Sequence, residues 1–126
     1  MKKVLVVDDS QSIRSQVAAA LEPGDFQVLG ATDGVNALQR LRDLGDLDLL
    51  LLDVNLPGMS GLELLEHVMA DPGTWRIPVL MLTTAADREL LERARKAGAK
   101  GWLVKPFKSE LLLSTAKRLT LATARP

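Results

Sequence analysis

Short, uninterrupted apolar runs alternate along this chain with longer segments of helical periodicity. The runs are Val4–Val7, Gln27–Ala31, Leu49–Leu52, Val79–Leu82 and Gly101–Val104. Continuous runs of this length suit strands buried on both faces of a parallel sheet. Leu49–Leu52 is open to a helix by propensity, but its shortness and the flanking Asp48 and Asp53 favour a strand. Between the runs, a first helix is expected from about Ser10 to Leu21, with Ile13, Val17 and Leu21 on one face. A second follows Asp33 as N-cap and carries Val35, Leu38 and Leu41 before Gly45. A third starts at Ser60, whose spacing to Glu63 is that of a capping box. It carries Leu62, Leu65 and Met69 and stops before Pro72. A fourth covers about residues 86–97, with Leu90, Ala94 and Ala97 inward and Gly98 as the stop. A fifth follows Pro106, from about Ser109 to Leu121. The pattern βαβαβαβαβα implies an α/β domain with a central parallel sheet. Right-handed crossovers then put helices on both faces.

The 126 residues are expected to form one domain, with its core at about 3–121, and no output domain is expected. At 47% hydrophobic and 25% charged, the chain has the make-up of a globular protein, not a disordered one. It contains no cysteine, which excludes a disulfide framework, a zinc–thiolate site and a Cys nucleophile. Two Phe, two Trp and no Tyr leave little for a base-stacking platform, so no nucleic-acid partner is expected. No run suits a membrane span or a signal peptide, so a cytoplasmic protein without a membrane partner is expected. Net charge is zero, but residues 1–76 hold 12 acidic and 6 basic side chains, whereas residues 77–126 hold 4 and 10.

The polar residues that stand out sit where strands end. Asp8 and Asp9 follow the first strand, Asp53 the third, Thr83 the fourth and Lys105 the fifth. Open parallel sheets bind their ligands beyond the carboxyl ends of the strands. Each residue also has a commonplace role: Asp9 as a helix cap, Asp53 as a turn residue, Thr83 bonded to local backbone, Lys105 as solvated surface. Four strand ends supplying carboxylates, a hydroxyl and an ammonium together point to a site.

The segments VLVVDDS, LLLLDVNLPGMSGLELL, PVLMLTT and GWLVKPF resemble the motifs of the receiver domain of two-component response regulators. They occur in the family's order and spacing from Lys3 to about Leu121. GW followed by LVKPF is similar to the stand-alone, CheY-like branch. The resemblance implies a flavodoxin-like three-layer α/β/α sandwich whose five strands lie in the order 2-1-3-4-5. The first and third strands are then neighbours, ~4.8 Å apart. Crowded carboxylates repel, raise at least one pKa, and call for a cation. Oxygen donors without His or Cys favour Mg²⁺.

In that resemblance Asp53 is the phosphoacceptor for a sensor histidine kinase. Asp9, Asp53 and the backbone carbonyl of Asn55 are Mg²⁺ ligands, and Asp8 acts through water. Thr83 and Lys105 contact the phosphoryl group, and the Lys105–Pro106 bond is cis. Trp102 takes the place of the aromatic that turns inward on activation, usually Tyr or Phe. Leu91, Arg95, Ala99, Trp102 and Arg118 map to the face that reads out the state, with Leu91 expected exposed beside Arg95 and Trp102. Asn55 and Ala85 occupy the positions that tune dephosphorylation. The implied protein is a monomer, not an enzyme beyond hydrolysis of its own acyl phosphate. Its implied targets are a motor or other effector, and the branch implies chemotaxis or motility signalling. Alternatives are a phosphorelay shuttle to a histidine phosphotransfer protein, and a small phosphatase with an Asp nucleophile. The phosphatase family favours D-x-D on the first strand, where this chain has adjacent aspartates. A flavodoxin-type carrier would place FMN phosphate against Asp8 and Asp9, which repel it. His67, the single histidine, is expected at the surface.

Overall fold

A computed structural model describes residues 1–84 and 88–121. The strands are β1 (Lys2–Val7), β2 (Phe26–Ala31), β3 (Leu49–Asp53), β4 (Val79–Thr83) and β5 (Gly101–Val104). The helices are α1 (Gln11–Leu21), α2 (Gly34–Leu44), α3 (Gly61–Ala70), α4 (Arg88–Ala97) and α5 (Ser109–Leu121). All strand pairings are parallel, in the order β2-β1-β3-β4-β5. The expected architecture is therefore the observed one. Most bounds differ by a residue or two, the expected start of the fourth helix at Ala86 lies outside the described residues, and a short 3-10 turn at Glu22–Gly24, which no periodicity reveals, follows α1.

Helix starts follow local side-chain chemistry. Ser10, Asp33 and Ser60 accept hydrogen bonds from the backbone N–H of Ile13, Asn36 and Glu63 respectively. Each satisfies an orphan donor of the first turn. Ser10 is thus the cap of α1, which leaves Asp9 available for other work.

Alternation along the strands divides the core between the two faces. Leu5, Val7, Leu50, Leu52, Val79 and Met81 face α2, α3 and α4, where Leu41, Leu65 and Ala94 meet them. Val4, Val6, Leu49, Leu51, Leu80 and Leu82 face α1 and α5, against Val17, Leu21, Leu112 and Ala116. The central strands are buried on both faces, as their unbroken apolar runs require. The edge strands are not. In β5 Leu103 is buried, but Trp102 is 42% exposed and Val104 44%. The same expectation of two-sided burial fails at β2, whose middle residues are half-buried. An edge strand has a neighbour on one side only, so helices cover it incompletely. Val35, expected among the apolar positions of α2, is 70% exposed; Ala37 and Leu41 form the buried stripe instead.

Candidate functional site

Four of the five strands, β1, β3, β4 and β5, deliver polar residues to one rim. The sheet ladder runs past the last strand residue at three places. Asp8 N–H donates to the Ala31 carbonyl (3.1 Å), Val54 N–H to that of Leu82 (2.9 Å), and Lys105 N–H to that of Thr83 (2.7 Å). Backbone bonds thus hold Asp8, Asp53 and Lys105 where side chains converge. The carboxylates of Asp8, Asp9 and Asp53 lie within 4.8 Å of one another. Asp8 and Asp53 are buried, whereas Asp9 is exposed to solvent.

Lys105 closes the cluster. Its ammonium donates to Asp8 Oδ2 at 2.6 Å and lies 3.2 Å from Asp53 Oδ1. The side chain crosses from β5 past β4 to β3, a span of ~10 Å at ordinary strand spacing. The Lys105–Pro106 peptide is cis, as the family resemblance implies. Asp8 Oδ1 accepts from Ser10 N–H at 2.9 Å, and Asp53 Oδ1 from Asn55 N–H at 3.3 Å. Thr83 is buried at the end of the strand between Asp53 and Lys105.

The electrostatics leave the cluster short of positive charge. Burial pushes the Asp53 carboxyl above its ordinary value of 3.8, and the neighbouring Asp8 carboxylate pushes the same way. Lys105 and the Asn55 N–H pull back without cancelling this. For Lys105, burial disfavours the ammonium, but its hydrogen bonds to Asp8 and Asp53 and their charges outweigh it. Its pKa therefore stands above 10.5. One ammonium among three carboxylates leaves an excess negative charge with an exposed carboxylate at its mouth. An all-oxygen donor set of this kind fits a hard divalent cation such as Mg²⁺, which the cluster of Asp8, Asp9 and Asp53 could hold.

Gly61 is a site residue that motif reading passes over. A Cβ there would collide with the Asp53 carbonyl oxygen and come within 2.9 Å of Val54 Cα. Its N–H donates to the Val54 carbonyl at 3.1 Å. The start of α3 therefore rests directly on the backbone that presents Asp53. A glycine at the first helical position, after a serine cap and a strand-exit aspartate, is the signal that could have marked it.

The remaining expected residues fall into separate groups. Trp102 stands outward on β5 and lines a groove of about 460 Å³ with Arg88, Glu89, Leu91 and Glu92. Arg95 and Arg118 are exposed, and Arg95 pairs with Glu92 one turn back. Leu91 is not exposed as expected: only 4% of it is accessible, and it forms the floor of the groove instead. Ala99 likewise is buried and belongs to the core beneath α4. Helix α4 lies over the last strands at the sheet edge, so its inward arc takes in Leu91 as well as Ala94. Ala85 lies outside the described residues. His67 is exposed on α3, away from the acidic rim.

The response regulator receiver domain family matches residues 4–117. The chemotaxis protein CheY-3 of Vibrio cholerae is 40% identical over 111 residues, which span 87% of this chain and 85% of that protein. The chemotaxis protein CheY of Pseudomonas aeruginosa is 37% identical over 118 residues, spanning 93% and 94%. Among solved structures, Vibrio cholerae chemotaxis protein CheY4 superimposes with a TM-score of 0.88 at 41% identity, covering 94% of this chain and 98% of that one. A response regulator from Chloroflexus aurantiacus gives 0.89 at 32% identity, covering 95% and 98%.

Proposed function

Because this chain belongs to the response regulator receiver family, we propose that it is a signalling switch that accepts a phosphoryl group on Asp53. The observation that carries this reading is the Lys105 ammonium shared between Asp8 and Asp53. It sits beside a third carboxylate, on the rim where an α/β sheet of this order binds ligands. The donor is a phosphohistidine of a sensor kinase. Its N–P bond breaks as an Asp53 carboxylate oxygen bonds to phosphorus, and the donor imidazole leaves with the electron pair. Such transfers depend on positioning and charge neutralisation more than on covalent chemistry by the protein.

The chain's own groups divide that work. The Asn55 N–H orients the Asp53 carboxylate. Lys105 already lies within ion-pair reach of Asp53 and compensates charge on the incoming phosphoryl oxygens. The Thr83 hydroxyl, one strand away, donates to another of those oxygens. Mg²⁺, when bound, supplies further charge neutralisation for the phosphoryl oxygens. Asp9, Asp53 and the Asn55 carbonyl would hold it, with Asp8 acting through water.

The readout is a protein-binding face built from α4, β5 and α5, to which Trp102, Arg95 and Arg118 contribute their exposed side chains. Leu91 contributes as the apolar floor of the groove beneath Trp102. The named relatives are chemotaxis proteins, which supports a role in chemotaxis or motility control. Among the described residues, no helix is long and apolar enough to cross a membrane.

The direct test incubates the protein with Mg²⁺ and a small-molecule phosphodonor and measures intact mass. A gain of about 80 Da, one phosphoryl group, is expected for the wild type and not for Asp53→Ala. Equal gain in both would overturn the assignment of Asp53. No gain in either, with the kinase also supplied, would overturn the function.

A further inference from the structure

The acidic rim has a support that the catalytic motifs do not include. Arg14 on α1 sends its guanidinium Nη1 to the backbone carbonyl of Asp8, where it donates at 2.6 Å. The Asp8 N–H is meanwhile bonded to the Ala31 carbonyl on β2. Both polar groups of the Asp8 backbone are therefore engaged, one by the sheet and one by a side chain from the helix that follows. The carbonyl of Asp8 is half of the peptide that joins it to Asp9. A charge-assisted bond there orients the link between the two aspartates.

The path of Arg14 depends on Gly30. A Cβ at Gly30 would lie 3.1 Å from Arg14 Cδ and 3.5 Å from its Nε. Those are the nearest atoms such a Cβ would meet, so a side chain at position 30 would press on Arg14 first. Glycine is a poor strand residue, and its backbone here needs no left-handed conformation. What its missing side chain provides is space for the arginine stem along the open face of β2.

We propose that Arg14 is a positioning residue for the acidic site, acting through the Asp8–Asp9 peptide, and that Gly30 keeps its route open. The inference rests on the receiver reading of that site. Charge and position make opposite predictions, which allows a clean test. Removing a nearby cation would tighten Mg²⁺ binding on charge alone. Losing the orientation of the Asp8–Asp9 peptide would weaken it, because groups behind the metal ligands set affinity.

The experiment is a calorimetric Mg²⁺ titration of the wild type, Arg14→Ala, Arg14→Lys, Gly30→Val and the Arg14→Ala/Gly30→Val double variant. Thermal unfolding of each serves as the control for folding. Arg14→Ala is expected to weaken Mg²⁺ about tenfold, and Gly30→Val to weaken it in the same direction while retaining the arginine. The double variant is expected to match Arg14→Ala, and Arg14→Lys to recover part of the loss. At saturating Mg²⁺, phosphoryl uptake should return to within about twofold of wild type, a separation of binding from transfer that general loosening would not produce. Unchanged or tighter Mg²⁺ binding in Arg14→Ala and Gly30→Val overturns the inference. Additive losses in the double variant overturn the link to Gly30. A wild type that neither binds Mg²⁺ nor gains the phosphoryl group overturns the receiver reading and this inference together. A wild type that does both while the variants match it overturns this inference alone.

Discussion

Strand β3 carries a buried aspartate at each end, and the two lead different lives. Asp48 precedes the strand. Its Oδ2 accepts from Lys3 N–H at 2.8 Å, and its own N–H donates to the Lys3 carbonyl at 2.9 Å. It closes the lower end of the β1–β3 pairing. Asp53 ends the strand five residues later, beside two more carboxylates and one lysine. Residue type and depth are alike; neighbours differ. Burial of a carboxylate therefore marks a position that needs compensation, and only the source of that compensation separates a structural role from a reactive one. Asp48 serves the sheet, through backbone bonds in both directions with Lys3. A carboxylate that shares a single ammonium with its neighbours is poised for a cation or a phosphoryl group.

The strongest way to break the contrast is to remove the shared ammonium. Lys105→Ala is expected to slow phosphoryl uptake from a small donor by about 100-fold, the usual loss when an oriented charge donor at the reacting group is removed. Timed intact-mass measurement at saturating Mg²⁺ checks it; a loss under threefold would show that Asp53 does not depend on its partner. Next in size is Gly61→Ala. Forcing a methyl group against the Asp53 carbonyl is expected to cost about 1–3 kcal/mol of stability and to displace the phosphoacceptor. Urea unfolding and phosphoryl uptake should both suffer, and wild-type values in both would mean that α3 can yield without moving β3.

Asp48→Ala sharpens the contrast from the other end. It leaves the partly buried Lys3 N–H without that acceptor, at a cost of about 1 kcal/mol in urea unfolding, while phosphoryl uptake at Asp53 stays near wild type. A large loss of uptake in a folded variant would show that the two ends of β3 are coupled. The smallest effect concerns pH. Asp53 has a raised pKa, so the native state holds its proton to higher pH than the unfolded chain does. The ionised carboxylate therefore costs stability above that raised value, and the cost is relieved as pH falls through it. In metal-free protein, Asp53→Asn should be more stable than wild type at pH 7. The gap should close towards ordinary carboxylate pH. A gap that widens on acidification would reverse the assigned direction.

Much of the fold was legible because local and global preferences agree. The run Leu49–Leu52 reads as a two-sided strand, and both its faces are covered. Ser10, Asp33 and Ser60 act as caps through bonds spanning three residues, which sequence spacing records directly. Asp8, Asp9, Asp53 and Lys105 stood out because strand-exit positions place polar residues against apolar runs, and the structure brings them together. What escaped depends on coverage and on backbone proximity. Leu91 and Ala99 were expected on an exposed face, but helical spacing gives only an angle around the axis, not the height of the neighbouring wall. Val35 fits an apolar stripe yet faces solvent for the same reason. Gly30 and Arg14 carry no pattern of their own, since their importance lies in which atoms from distant segments pass beside them.

Alternation of short apolar runs with amphipathic segments was enough, by itself, to specify an α/β chain with polar residues at successive strand exits. Those properties are encoded by neighbours along the chain, through side-chain alternation, helical period and capping. The meeting of Lys105 with Asp8 across 97 positions, the open outer face of β5 and the path of Arg14 over Gly30 were decided only by the tertiary structure. Each depends on which segments pack side by side, and long-range packing free energy, not local propensity, selects among those arrangements.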